Sequence, residues 1–212
     1  MSSDLKVTNI KHESSSSNNL VLASDGDISV TNNLNVGTIK DATGGTTALS
    51  INSSGIVTQP AKPAFLARTS GTTNISLSTH HTIFDQTSAS SYYNFDQGNN
   101  YDTTNKDFEA PVGGIYYFYA QVDLRSTVNA NATYYGLNLR LDTGSGYNNK
   151  FHSIYDFDDT GDNLDYHALS ITGIFSLSAT HKVQFSIQQI GGSVATDIDN
   201  GNGSYFLGYL IG

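Results

Sequence analysis

The most constraining feature of the sequence is a segment at 115–124 whose alternation predicts a β-strand with apolar residues on both faces. The positions of one face are Tyr116, Phe118, Ala120, Val122 and Leu124. The positions of the other face begin with Ile115, Tyr117 and Tyr119. A sheet with one solvated face does not place such residues in water. The second face is therefore expected to be covered, either by a second sheet or by another subunit.

The aromatic residues divide the chain into two parts. All 13 Tyr and 10 Phe lie at or after Phe65, and the chain has no Trp. A short segment with only scattered Leu, Val, Ile and Ala does not bury a core of its own. We therefore predict two domains. Residues 1–63 form an N-terminal anchor and a β-strand repeat shaft with a Pro-containing neck, and residues 64–212 form a self-sufficient β domain, the head.

The N-terminal part contains an internal repeat with an interval of 29 residues. The matching residues are Leu20, Leu22, Gly26 and Ile28 in one copy and Leu49, Ile51, Gly55 and Val57 in the other. Each copy predicts a short strand, a Gly turn and a second short strand. Two copies are too few for a solenoid, and three chains winding together would supply the missing partners. The Asn-Leu, Asp-Gly and Ser-Ser-Gly strings of this part resemble stalks of tailed-bacteriophage fibre and appendage proteins.

Several motifs of the head match one known family. They are Ala-Phe-Leu-Ala at 64–67, the loop 94–101, Phe108 with Ala110-Pro111, Gly-Ile-Tyr-Tyr-Phe at 114–118 and Ser-Tyr-Phe-Leu-Gly-Tyr-Leu at 204–210. On these motifs, residues 64–212 resemble the globular head of complement C1q and its relatives among the tumour-necrosis-factor (TNF) jelly rolls. The chain departs from the family's animal members in having no collagen Gly-x-y stalk.

The resemblance implies an all-β fold: a ten-stranded antiparallel jelly-roll β-sandwich, here preceded by a short β-rich trimeric shaft. It also implies a homotrimer around an aromatic-rich axis, used for binding rather than catalysis. The residues expected in the core or at the trimer axis are Tyr116, Tyr117, Phe118, Tyr119, Tyr205, Phe206 and Tyr209.

Composition and motifs exclude several function classes. The net charge is −9, and residues 65–212 carry 14 acidic and 6 basic side chains, so nucleic-acid binding is not expected. The absence of Cys and of long apolar runs argues against disulfides, thiol catalysis and membrane insertion. Neither a phosphate-binding Gly-rich motif nor a nucleophile elbow is present, and His80 and His81 would point to opposite faces of a strand. We expect no catalytic residues and no enzyme activity.

Two acidic segments are candidate Ca²⁺ sites. The first spans 156–165 and contains Asp156, Asp158 and Asp162, with no Lys or Arg between Lys150 and Lys182. Closely spaced carboxylates repel one another unless a cation holds them. The second candidate site contains Asp197 and Asp199. The sequence leaves two interpretations open for each segment: a bound Ca²⁺, or an ordinary solvated acidic loop or turn. No other cofactor is expected.

Tyrosines in loops are candidates for a recognition surface because Tyr combines a flat apolar ring with a hydroxyl. The residues in question are Tyr92, Tyr93, Tyr101 and Tyr147. Binding residues concentrate on loops that a rigid scaffold holds in place.

These expectations combine into a homotrimeric virion structural protein of a tailed bacteriophage, assembled in the host cytoplasm and displayed on the particle. Its partners would be other virion proteins through residues 1–63, and a host-surface glycan or protein through the head. The alternative is a capsid decoration protein with a projecting head.

Overall fold

The computed structural model describes residues 9–10, 20–22, 28–30, 38–40, 45–70, 73–75, 78–88, 94–125, 132–157, 166–192, 195–199 and 203–212. They belong to two compact units, Met1–Gln59 and Pro60–Gly212. Every regular element in these ranges is a β-strand. None of the described residues forms a helix long and apolar enough to cross a membrane.

The first unit holds two three-stranded antiparallel sheets. The first sheet consists of β1 (Asn9–Ile10), β2 (Leu20–Leu22) and β3 (Ile28–Val30), in that order. The second consists of β4 (Thr38–Lys40), β5 (Thr47–Ile51) and β6 (Val57–Thr58), also in that order.

The two sheets share one register at the predicted interval of 29 residues. Leu22 pairs with Ile28 as Ile51 pairs with Val57, which confirms the predicted strand–turn–strand repeat. The repeat also extends further than predicted. Ile10 pairs with Leu20 as Ile39 pairs with Leu49, so β1 and β4 are equivalent strands that begin each copy.

The second of these sheets leaves its apolar residues open to solvent within the chain. None of the residues of β4, β5 and β6 is buried. About half of the surface of Ile39, Ile51 and Val57 is exposed. A small sheet of this kind needs further packing surface to be stable.

The second unit is a sandwich of two antiparallel sheets. The five-stranded sheet has the order β10-β11-β16-β13-β14. Its strands are β10 (Tyr101–Asp102), β11 (Asp107–Glu109), β13 (Tyr134–Asp142), β14 (Asn148–Asp156) and β16 (Lys182–Ile190). The seven-stranded sheet has the order β8-β17-β12-β18-β7-β9, with β15 paired to β12. Its strands are β7 (Ala64–Arg68), β8 (Thr73–Ile75), β9 (Phe95–Gln97), β12 (Gly114–Arg125), β15 (Tyr166–Leu177), β17 (Thr196–Ile198) and β18 (Tyr205–Leu210).

Aromatic rings fill the space between these two sheets. The ring of Phe65 stacks on those of Tyr101 and Phe108 at centroid distances of 4.7 and 5.2 Å. Phe118 lies 5.6 Å from Phe108 and 5.9 Å from Phe206. Aromatic pairs at such distances add to the free energy gained by burial, so this cluster anchors the sandwich.

Strand β12 confirms the alternation predicted for 115–124. Tyr116, Phe118 and the other even positions through Leu124 are fully buried between the sheets. The odd positions line the outer face of the seven-stranded sheet, where Ile115 is 40% exposed. Of the two expected covers for that face, a second sheet of the same chain is wrong.

Candidate functional site

The outer face of the seven-stranded sheet carries a continuous set of apolar and aromatic side chains, which we call the aromatic face. Its members are Ile115, Tyr117, Tyr119, Ile174, Tyr205, Leu207 and Tyr209. The rings of Tyr117 and Tyr209 lie 5.4 Å apart, and those of Tyr119 and Tyr205 lie 5.7 Å apart. These side chains are partly exposed or exposed in the single chain.

The residues predicted for the core or trimer axis therefore fall into two groups. Tyr116, Phe118 and Phe206 are fully buried core residues. The remaining members, Tyr117, Tyr119, Tyr205 and Tyr209, belong to the aromatic face. The sequence listed them together because both faces of β12 and β18 are aromatic.

A polar surface lies on the outer face of the five-stranded sheet. Cross-strand pairing places Asp107 of β11 beside Asp102 of β10 and Gln184 of β16. The next row pairs Glu109 with Lys182, whose ammonium Nζ lies 3.3 Å from Glu109 Oε2. Residues two apart on a strand share a face, so the two rows form one polar patch.

Two depressions open on this patch and share Asp107 and Lys182. The first has a volume of about 330 Å³, and its polar lining residues are Asn99, Asn100, Asp102, Asp107, Glu109 and Lys182. The second has a volume of about 270 Å³, and its lining residues are Asn105, Asp107, Asp142, Tyr147, Lys182 and Gln184.

Asp107 is the most buried charged group of these depressions, with 2% of its surface exposed. Its Oδ2 accepts a hydrogen bond from the Tyr147 hydroxyl. Its Oδ1 is buried and has no hydrogen-bond partner among the described residues. Burial raises the pKa of Asp107, although the hydrogen bond from Tyr147 and the charge of Lys182 act in the opposite direction.

Tyr147 is held by the chain at the edge of the second depression. Its ring lies under the guanidinium of Arg140, with 5.3 Å between the guanidinium carbon and the ring centroid. Burial and the neighbouring Asp107 raise the pKa of its hydroxyl. Arg140 also donates to Gln184 Oε1 at 3.2 Å, which fixes the guanidinium against the sheet.

The structure corrects the assignment of Tyr101 to a recognition surface. Its ring is 6% exposed and belongs to the aromatic core, and its hydroxyl donates to the Phe84 carbonyl at 2.7 Å. A buried ring cannot contact a host surface. Tyr147 is partly exposed and lines the second depression. The predictions for Tyr92 and Tyr93 lie outside the described residues.

The candidate Ca²⁺ residues have different positions. Asp158 and Asp162 lie outside the described residues, and Asp156 is exposed at the end of β14. Asp197 is partly exposed in β17. Asp199 is corrected as a ligand because its Oδ2 lies 2.5 Å from Arg125 Nη2, so a guanidinium of the chain already neutralises it. Within the described ranges, no three His, Cys, Asp or Glu side chains converge as a metal site would require.

Sequence reasoning missed the depressions. Asp107 and Glu109 share a face of β11, and this spacing was a visible signal of two neighbouring carboxylates. The sequence gave no sign that Lys182, more than seventy positions later, pairs with Glu109.

Comparisons with known proteins agree with this architecture. Murine APRIL, a TNF-family protein crystallised at pH 5.0, is similar with a TM-score of 0.52 and 12% identity, over 71% of this chain and 99% of APRIL. Murine APRIL at pH 8.0 gives the same values. The globular domain of zebrafish complement 1qA is similar with a TM-score of 0.47 and 18% identity, over 71% of this chain and 98% of that domain. No protein-family model matches the chain, and no curated protein matches it. The fold is a C1q/TNF-like antiparallel jelly roll.

Proposed function

We propose that the protein is a homotrimeric virion structural protein of a tailed bacteriophage, whose head contacts the host surface. The aromatic face carries this proposal. It brings four tyrosines, two isoleucines and a leucine together on a sheet that nothing in the chain covers. Exposed apolar patches of this kind mark protein interfaces, and a second and third copy of the chain supply a cover of the same chemistry.

The first unit supports the same assembly. The sheet β4-β5-β6 has no buried residue, and it exposes Ile39, Ile51 and Val57. Three chains that wind these sheets together would bury those side chains at a common axis. This accounts for a repeat that is too short to be stable by itself. We propose that residues 1–63 form this shaft and attach to other virion proteins.

The head is proposed to bind a host-surface glycan or protein without catalysing a reaction. Three identical sites on one trimer bind a repetitive surface with an avidity well above the affinity of one site. The phage origin and the adhesive role rest on the resemblance of residues 1–63 to phage stalks and on the binding class of the jelly-roll head.

Sedimentation velocity of the full chain tests the assembly. We expect a species with three times the mass of the chain. Tyr117→Asp should dissociate it because the substitution places a charge in the proposed interface. Val112→Asp is the matched control, since Val112 is exposed in the turn before β12 and lies outside the aromatic face. A wild-type monomer at micromolar concentration contradicts the proposal.

Competition for host cells tests the adhesive role. The purified protein should reduce adsorption of the phage in a dose-dependent manner, and gold-labelled antibody should decorate the tail region in electron micrographs. Label on the capsid shell, with no competition and with capsids that become fragile when the protein is lost, assigns the decoration role instead.

A further inference from the structure

The two depressions that share Asp107 and Lys182 have the makings of a small-molecule site. Their volumes, about 330 and 270 Å³, lie near the lower end of the range for such sites and suit a single small ring rather than an extended chain. The side chains of Lys182 and Glu109 are 33% and 48% exposed, so the ion pair is accessible from solvent. Asp107 is nearly buried and forms the deep part of both depressions.

Two of the surrounding carboxylates already have structural roles. Asp102 accepts hydrogen bonds from the backbone N–H groups of Thr104 and Asn105. Asp142 does the same for Gly144 and Gly146. These contacts lower the pKa of both groups and hold the two turns that border the depressions.

Asp107 differs from these two carboxylates because its Oδ1 has no donor. A buried carboxylate oxygen without a hydrogen bond costs free energy in the folded protein. Its neighbour Lys182 does not satisfy it, since the ammonium is paired with Glu109 Oε2. A guest that donates a hydrogen bond at the base of the depressions would remove this cost.

The charges of the site select the chemistry of the guest. An anionic guest would meet Asp107 and Glu109, and a cationic guest would meet the ammonium of Lys182. The convergence required for a metal ion is absent among the described residues. An uncharged group that both donates and accepts hydrogen bonds remains. Neighbouring hydroxyls of a sugar ring have this property, because each hydroxyl donates to a carboxylate while it accepts from an ammonium or an amide.

We propose that the depressions around Asp107 and Lys182 bind one uncharged sugar residue of a host-surface glycan. This inference rests on the adhesive function proposed above and names its substrate class. Asp107 and Glu109 accept from the sugar hydroxyls, and Lys182 with the amides of Asn99 and Asn100 donates to them.

Saturation-transfer difference NMR on the full chain tests the site. The probes are the methyl glycosides of glucose, galactose and N-acetylglucosamine at millimolar concentration, with the diamine putrescine as a cationic comparison. At least one glycoside should give a signal. Asp107→Asn and Lys182→Met should each weaken its Kd about tenfold or more, as expected for the loss of a hydrogen bond to a charged group. Asp156→Asn is the matched control, because Asp156 is an exposed carboxylate that lines neither depression.

Three results would overturn the sugar site: no glycoside signal, equal binding by wild type and both variants, or binding of putrescine alone. Glu109→Gln guards against misfolding, since Glu109 is half-exposed and its replacement leaves the core intact. The adsorption assay separates the two proposals. If wild-type protein and Asp107→Asn compete equally with the phage, the sugar site is wrong and adhesion stands. If wild type binds a glycoside through Asp107 but does not compete, the site stands and adhesion fails.

Discussion

Replacing Phe118 by Ala removes a fully buried ring from the centre of the aromatic core. The ring of Phe118 lies within 5.6 Å of Phe108 and Phe175 and within 5.9 Å of Phe206, measured between centroids. Truncating a buried Phe to Ala typically costs about 3–5 kcal/mol of folding free energy, because the ring's burial is lost and a cavity remains. For a unit of this size, we expect the melting temperature to fall by about 6–20 °C.

Circular dichroism melts of the full chain at one fixed protein concentration measure this effect. Tyr117→Ala is the matched control, since Tyr117 is the next residue of β12 and lies on the aromatic face. Its effect on the melt should depend on protein concentration, because its proposed partner is another copy of the chain. A shift of only a degree or two for Phe118→Ala would refute the assignment of the even positions of β12 to the core.

Four further outcomes are expected. Gly208→Ala should destabilise the head by about 1–3 kcal/mol in thermal melts, because an added Cβ would lie 2.5 Å from Phe118 Cδ1, whereas Gly212→Ala, with nothing within 4 Å, should not. Asp107→Asn should stabilise the protein more at pH 7 than at pH 4. The folded state raises the pKa of Asp107, so ionisation of the wild-type carboxyl costs stability as pH rises, and equal shifts at both pH values would contradict this. If the segment 156–165 binds Ca²⁺, chelation should lower the melting temperature and added Ca²⁺ restore it, whereas an unchanged melt leaves a solvated acidic loop. Deleting residues 1–59 should leave a folded head that particles no longer incorporate, and normal incorporation of the truncated protein would exclude the anchoring role.

Local patterns in the sequence were sufficient to predict the strands and the class of fold. The alternation at 115–124 identified β12 and its core face, because the two-residue period of a strand is a property of the backbone alone. The interval of 29 residues identified the paired hairpins of the first unit. The first strand of each copy was missed, since Asn9–Ile10 and Thr38–Lys40 share only one identical position.

Tertiary packing decided which polar and aromatic residues meet, and local sequence carries no record of such distances. Tyr101 sits in a polar loop sequence, yet the sandwich closes over its ring and Phe84 accepts its hydroxyl proton. Asp199 resembled a metal ligand until the fold brought Arg125 to it. The ion pair of Lys182 with Glu109 and the unfilled oxygen of Asp107 likewise arise only because β16 pairs with β11. The sequence by itself determined the strands and the fold class, whereas the candidate sugar site exists only through long-range strand pairing.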